Sequence, residues 1–453
     1  MNARWISRQL PHAARPPRHT AQRWPRLVTT AGVMAAAACL PAACTAAAAV
    51  TSGPAKAATA VAPGPVSCGP PHVLPQVLCY TPAQYQVAYG VRNLLTRGID
   101  GSGETVVMPE LAHTPSPSFT DIRKDLAAFD SRFGLPPATL RITTTLAGAK
   151  SPYVAGTEEV EDTEIAHAIA PGATLDVVLV PDDAATSTAN FTKALTGVVR
   201  AGLAQHAAVI SISASAGERL FTPAEVARIH QVLEQACGRH VSVVASSGDG
   251  GAVSDQGLPK QVSLPASDPL VLAVGGTSLD ASYQTGAYKG EMAWNELTDA
   301  TGGGYSRLFR RPSYQEGIAR IRATRGVPDV TADADDRTAL ALEFSDGTFM
   351  PARGTSAATP LWAALIALAD QNAGQHLGLV NPAIYRIARS PAYHRAIHDV
   401  ITGDNSVMLP TGVVVGYQAA PGWDPVTGWG SPNAQVLVPL LAHTVHPGGG
   451  AHA

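Results

Sequence analysis

The sequence predicts an α/β domain: a doubly wound, mostly parallel sheet with helices on both faces. Two observations carry that expectation. Short, predominantly apolar runs rich in β-branched residues recur at 105–108, 175–180, 208–213, 241–245 and 271–274. Amphipathic helical patterns, such as 191–205 and 223–237, lie between several of them. Strands buried on both faces read as continuous apolar runs, and intervening helices supply the crossovers that parallel strands need. In such a sheet, functional groups gather at the carboxyl ends of the strands.

Composition supports one large core. Of 453 residues, 45% are apolar and 15% charged, with 42 glycines and 36 prolines for ordered turns. The net charge is −3, so neither a disordered chain nor a basic nucleic-acid binder is expected. Residues 1–60 hold six arginines and Lys56 but no acid, leaving 25 basic against 35 acidic side chains in 61–453. An acidic body is easier to keep compact where some carboxylates are protonated, a hint of an acidic working environment that decides nothing alone.

From the N-terminus, an Arg-rich stretch to Arg26 precedes an uncharged, Ala-rich one over 27–55. A basic segment, an apolar segment and Ala-x-Ala sites describe a secretory signal peptide over 1–55, hence a secreted chain. The alternatives are an Ala-rich membrane anchor, disfavoured because alanine is weakly hydrophobic and Pro41 interrupts the run, and a lipoprotein anchor at Cys39 or Cys44, although neither has a leucine three positions earlier. A Pro- and Gly-rich linker follows over 56–79, where Cys68 and Cys79 are close enough to bridge in an oxidising compartment. One α/β domain occupies 80–442, and 443–453 reads as a flexible tail. Beyond the N-terminal region nothing approaches the ~20 apolar residues of a membrane span. Cys237 ends a helical pattern and is expected to be a buried thiol, and no CxxC pair suggests zinc.

Three segments carry candidate chemistry. In 353–360, RGTSAATP, Ser356 sits where a small-residue turn opens a long apolar helix, with Pro360 in its first turns. Free N–H groups at a helix start favour an anion, so a serine there can attack a carbonyl whose oxyanion is already stabilised. The plainer reading is a serine N-cap. A serine nucleophile needs a base, yet no His-Gly-Thr or Asp-Ser/Thr-Gly segment of the subtilisin-type proteases is present. His167 falls among Ala and Ile at helical spacing and reads as a packed residue. His113, His206, His230 and His240 lack a local motif.

The second segment, 156–171 (GTEEVEDTEIAHAIAP), places Glu158 and Asp162 four residues apart on one helical face. By itself it is better read as a solvated acidic first turn. The third, 243–252 (VVASSGDGGA), sets Asp249 in a Gly-rich loop just after a buried run. That is either a functional position or an ordinary Asp-Gly turn.

Together with YTPAQYQVAYG, GIDGSGETV, AHAIAPGA, VGGTSL, AWNE, GGGYS, RGVPDV and GWDPVTGWGSPN, these segments resemble the sedolisin, or serine-carboxyl, peptidase family from Tyr80 to Leu441. The resemblance implies a subtilisin-like fold, acid-acting hydrolysis of polypeptides by a monomer, and a peptidase domain over 80–442. Carried over by position, Ser356 is the nucleophile, Glu158 the general base, Asp162 its carboxylate partner and Asp249 the acid of the oxyanion hole. It also implies one structural calcium ion. The carboxylates of Asp399 and Asp424 and the carbonyls of Val400, Ala420 and Gly422 would hold it, an oxygen set that suits calcium.

Three departures accompany the resemblance. The family usually carries a prodomain between signal and catalytic domain, where only a short linker is recognisable here. Glu161 stands beside Asp162 where relatives usually have an apolar residue. The stretch 212–217 (ISASAG) lacks a tryptophan often found after that strand. An endopeptidase is the leading reading. A tripeptidyl or other exopeptidase of the same family, or an inactive peptidase-like binding protein, are the alternatives.

Overall fold

A computed structural model describes residues 64–69, 76–113, 116, 119–144, 154–254 and 259–444. The expected signal region 1–55, with Cys39 and Cys44, lies outside the described residues, as do 445–453 of the expected tail. A short antiparallel pair, β1 (Val66–Cys68) and β2 (Val77–Cys79), is joined by the Cys68–Cys79 disulfide.

The body is built on an eight-stranded sheet. Its strands are β3 (Thr105–Leu111), β4 (Thr139–Thr144), β5 (Thr174–Val180), β6 (Val209–Ile212), β7 (Ser242–Ser246), β8 (Leu272–Ala281), β9 (Tyr288–Ala293) and β10 (Val330–Asp333). Their order is β9-β8-β7-β6-β3-β5-β4, with β10 pairing β8 as well. Every pairing is parallel except β8 with β9. The chain runs from β3 to the edge strand β4, comes back to β5 beside β3, then crosses to β6 on the other side of β3 and steps outward through β7 and β8. The β3–β6 boundary is therefore a topological switch point, where the crossovers part and a crevice opens at the carboxyl ends.

Alternation along β3 shows both faces covered. Val106 and Met108 enter the cluster that holds α1 (Pro82–Ala88), α2 (Ile122–Phe133), α3 (Thr157–Ile169) and α6 (Gly354–Ala373). Val107 enters the opposite cluster, with Phe191 and Leu195 of α4 (Thr188–Ala204) and Ile229 and Val232 of α5 (Pro223–Gly238). The doubly wound, mostly parallel sheet is thus as expected, and α3 packs directly on α6. Among the described residues no helix is long and apolar enough to cross a membrane.

Three local expectations are corrected. The run expected to end at Met108 continues through Pro109 and Glu110 to Leu111. There β3 pairs β6 only at Val106 and Val107, so one side of the strand is open where proline lacks its N–H. The run expected at 271–274 extends to Ala281, because β9 adds an antiparallel partner from Thr277 onward. Cys237 is partly exposed rather than buried, since it lies on the rim of α5 near its last turn.

Candidate active site

Helix α6 is buried from Gly354 to Asp370, and its N-terminus is held by other elements. The N-cap is Arg353, whose side chain makes no cap bond, so Ser356 sits at the third helical position rather than serving as the cap itself. Three of the first N–H groups have tertiary partners. Arg353 N–H donates to Glu161 Oε2 (2.7 Å), Gly354 N–H to the Ala334 carbonyl (2.7 Å) and Thr355 N–H to Asp249 Oδ1 (2.9 Å). Gly354 has φ of +83°, a left-handed conformation that suits glycine, and it turns the chain into the helix just ahead of Ser356. Pro360, lacking an N–H, cannot pair with the Ser356 carbonyl four residues earlier. That carbonyl instead lies 3.4 Å from Ser213 Oγ.

Ser213, directly after β6, ties the two halves of the site together. Its hydroxyl donates to Asp162 Oδ1 (2.8 Å), while its carbonyl accepts from Ser356 Oγ (3.2 Å). Asp162 is fully buried in α3, and burial followed by the charge of Glu158 drives its carboxyl well above the usual carboxylate range. The first turn of α3 is therefore not a solvated acidic turn: Glu159, Glu161 and Asp162 are all buried, and Glu158 is half-buried. Glu159 has partners of its own. Its carboxylate accepts from Gly156 N–H (2.7 Å) and pairs with His113 Nε2 (2.8 Å). Burial opposes the His113 imidazolium, but the hydrogen bond and charge of Glu159, with Asp182, raise its pKa nonetheless.

Two residues close to this arrangement were not singled out in the sequence, Glu110 and Ser213. Glu110, at the end of β3, is fully buried near Asp162. Burial, then the charges of Asp162, Glu159 and Glu158, pushes its carboxyl well above the ordinary range. The available signal was an acid at the end of an apolar run, two positions past where the run seemed to stop.

Asp249 follows β7 and is 1% exposed. Its Oδ1 accepts from both the N–H and the hydroxyl of Thr355 (2.9 and 2.6 Å), which fixes the loop against the residue preceding Ser356. Ser356, Asp162 and Asp249 thus converge at the carboxyl ends of β6 and β7, with Glu158 one turn before Asp162 on α3.

Two of the histidines set aside in the sequence are committed elsewhere. His167 is buried, 3.0 Å from Asp130 Oδ1 and 2.9 Å from the Pro136 carbonyl. His230 meets Asp268 at 2.7 Å on α5.

The two C-terminal segments expected to bind calcium are brought together. Gly422 N–H donates to Asp399 Oδ2 (2.9 Å) and Ala420 N–H to Asp424 Oδ2 (3.0 Å). Thr427 Oγ1 donates to Val400 O (2.9 Å) and approaches Asp424 Oδ2 (3.0 Å). Asp399 Oδ1 is buried with no hydrogen-bond partner among the described residues. Burial raises Asp424 to about 6 against the backbone donors of Ala420, Thr427 and Val426. A buried orphan carboxylate oxygen beside a second buried carboxylate fits a hard cation. A separate acidic group, Glu296, Asp335 and Asp336, gathers oxygens within 4.8 Å of one another but is laced to Arg353 and Arg337.

Comparison with known proteins agrees with this geometry. Residues 146–386 match the family model described as the subtilase family. Kumamolisin of Bacillus sp. (strain MN-32) is 33% identical over 377 residues, covering 80% of this chain and 63% of kumamolisin. Tripeptidyl-peptidase 1 of Macaca fascicularis is 32% identical over 258 residues, covering 51% of this chain and 43% of the relative. The chain therefore spans less than two thirds of the length of either curated relative. Among solved structures, Pseudomonas sedolisin, a serine-carboxyl proteinase complexed with two molecules of pseudo-iodotyrostatin, superposes with a TM-score of 0.66. Sequence identity there is 25%, over 79% of this chain and 96% of sedolisin. Sheet order, the small-residue turn that opens the Ser356 helix and these likenesses lead to one statement: the chain belongs to the subtilase family, in its sedolisin form.

Proposed function

We propose that the chain is a secreted, acid-acting serine-carboxyl endopeptidase that hydrolyses polypeptides through an acyl-enzyme on Ser356. The observation that carries this reading is the double tie of Ser213, to Asp162 on one helix and to Ser356 on the other. It sets the buried Asp162 carboxyl against a serine at a helix start.

In this reading Ser356 Oγ attacks the scissile carbonyl carbon and passes its proton to Glu158. A histidine base, with an ordinary pKa of about 6.5, would already be protonated in acid, whereas a carboxylate near about 4.3 still accepts a proton. Asp162, whose carboxyl burial and the charge of Glu158 push well above the usual range, is the partner that keeps its proton. Proton return from Glu158 to the leaving amine breaks the C–N bond. Water, activated by the same carboxylate, then releases the acyl group. The developing oxyanion would be met by the Ser356 N–H and by protonated Asp249. Because Asp249 Oδ1 already accepts two hydrogen bonds from Thr355, the acidic proton belongs on Oδ2.

Purified chain incubated with an unfolded protein from about pH 2.5 to about pH 7.5, followed by product sequencing, tests the reading. Internal cuts, strongest in acid, are expected. Release of tripeptides alone would make it an exopeptidase, and no cleavage at any pH would defeat the proposal.

The Asp249 loop supplies a more specific expectation. Asp249→Ala should lower kcat roughly 10²–10³-fold, the scale for one oxyanion donor. Asp249→Asn keeps an oxygen for Thr355 and offers an N–H that does not titrate, so its remaining activity should extend to higher pH than wild type. A pH–kcat series on the three proteins checks this. An alkaline limb unmoved in the Asn variant would separate Asp249 from the titration.

Asp399 and Asp424, with the carbonyls of Val400, Ala420 and Gly422, would hold one calcium ion that cross-links the C-terminal segments. Calcium should raise the melting temperature, because a ligand bound only by the folded chain stabilises it by mass action. Asp399→Ala and Asp424→Ala should each remove that increment. Thermal melts with calcium and with chelator decide it, and identical melts would strike the ion from the account.

A further inference from the structure

The first turn of α6 has an unusual gap in its local capping. In a capping box, the third helical residue is an acid or amide that reaches back to the N-cap N–H. Here that third position is Ser356, so the helix cannot carry both its serine and a local capping acid. The N-cap N–H, that of Arg353, is nevertheless satisfied by a carboxylate, Glu161 Oε2 at 2.7 Å. Glu161 is fully buried and comes from α3, one residue before Asp162 and three after Glu158.

We propose that Glu161 is a positioning residue: it caps the Ser356 helix from the helix that carries Glu158 and Asp162, and so fixes the two halves of the active site in register. The inference rests on the peptidase reading and deepens it. Three features support it. The other early N–H groups of α6 are also held in trans, by Ala334 and Asp249, so the whole helix start is positioned from outside. The Arg353 side chain pairs with Glu296 (2.9 Å) and Asp299 (2.6 Å), while its backbone N–H meets α3 through Glu161. A bond between α3 and α6 this close to Ser356 passes small shifts of one helix to the other, and misplacement by about 1 Å can cost about 10²-fold in rate.

Glu161 also touches the protonation of the site. The ionisable groups facing Asp162 are Glu110 from β3 and Glu158 and Glu161 from α3, and the charge of Glu161 contributes to the raised Asp162 pKa. Anchoring and charge separate experimentally. Glu161→Gln keeps an oxygen for the Arg353 N–H and drops the charge. Glu161→Leu has similar volume and helix compatibility and drops both.

The test combines hydrogen exchange with kinetics. In Glu161→Leu, exchange of the backbone amides at the start of α6 should quicken by about tenfold or more. Its kcat should fall about tenfold or more with KM within about twofold, as for loss of an interaction that matters in the transition state. Glu161→Gln should exchange like wild type and hold kcat within about threefold, with its acid limb displaced downward by about half a pH unit. If the Leu variant exchanges like wild type, the capping role is wrong. If it exchanges faster yet keeps the wild-type kcat and pH profile, the positioning role is wrong. Should the wild-type protein cleave nothing, the exchange comparison still decides the cap, and the peptidase reading is what falls.

Discussion

Ser356→Ala should abolish peptide hydrolysis while leaving the folded chain essentially unchanged. The expected loss is about 10⁶-fold in kcat, the scale for removing a serine nucleophile from a group of residues that act as a unit. The fold should survive because the Ser356 hydroxyl contributes one hydrogen bond, to the Ser213 carbonyl at 3.2 Å. Losing such a bond costs about 1 kcal/mol, part of which alanine's helix propensity returns. The substituted residue also keeps the backbone N–H assigned to the oxyanion, so the variant should still bind substrate-like peptides. Rate measurement beside a thermal melt checks both halves. Hydrolysis at the wild-type rate in a preparation free of contaminating peptidase would place the nucleophile elsewhere.

The sheet was legible because its strands are buried on both faces. Runs such as 175–180 and 241–245 have no polar alternation to confuse with a surface strand, and their observed bounds, Thr174–Val180 and Ser242–Ser246, differ by one residue at one or both ends. What misled the reading was polarity placed in the interior. Pro109 and Glu110 looked like the end of β3, yet the strand runs on to Leu111 and leaves Glu110 buried near Asp162. A lone sequence prices such an acid as solvent-exposed. Only the fold supplies the burial and the neighbouring carboxyls that push its pKa well above the ordinary range.

The acidic helix shows the same difficulty from the other side. Residues 158–164 include five acids, which argues for a wet surface, but Glu159, Glu161, Asp162 and Glu164 are all buried. Each of these four has an identifiable partner: Gly156 N–H and His113 for Glu159, Arg353 N–H for Glu161, Ser213 Oγ for Asp162 and Glu343 N–H for Glu164. Those partners are between 3 and about 200 positions away in sequence, so spacing within the helix could show that Glu158 and Asp162 share a face and nothing about what the others meet. Ser213 was missed for that reason too: it was the unremarkable last residue of an apolar run. The match of motifs to the sedolisins marked the four candidate residues, and the geometry added what joins three of them.

Replacing Glu158 with Gln should lower kcat by about 10³–10⁴-fold, at the upper end for loss of a general base. The amide is nearly isosteric but cannot take the proton of Ser356, and the two histidines closest to it in the chain are already engaged. His167 is engaged by Asp130 and Pro136, and His113 by Glu159. The informative control is the next residue. Glu159→Gln retains an oxygen for Gly156 N–H and should leave kcat within a few-fold, because Glu159 faces His113 rather than the carboxyl pair. Removing the Glu158 charge should also bring the Asp162 pKa down, since that charge is the largest contribution to its elevation after burial. The residual activity of Glu158→Gln should therefore lose the wild-type acid limb, which reports protonation of the Glu158–Asp162 pair. Paired pH–rate profiles of the two variants measure this directly. A silent Glu158→Gln beside a crippled Glu159→Gln would mean that the proton leaves Ser356 by way of the opposite side of the helix, toward His113.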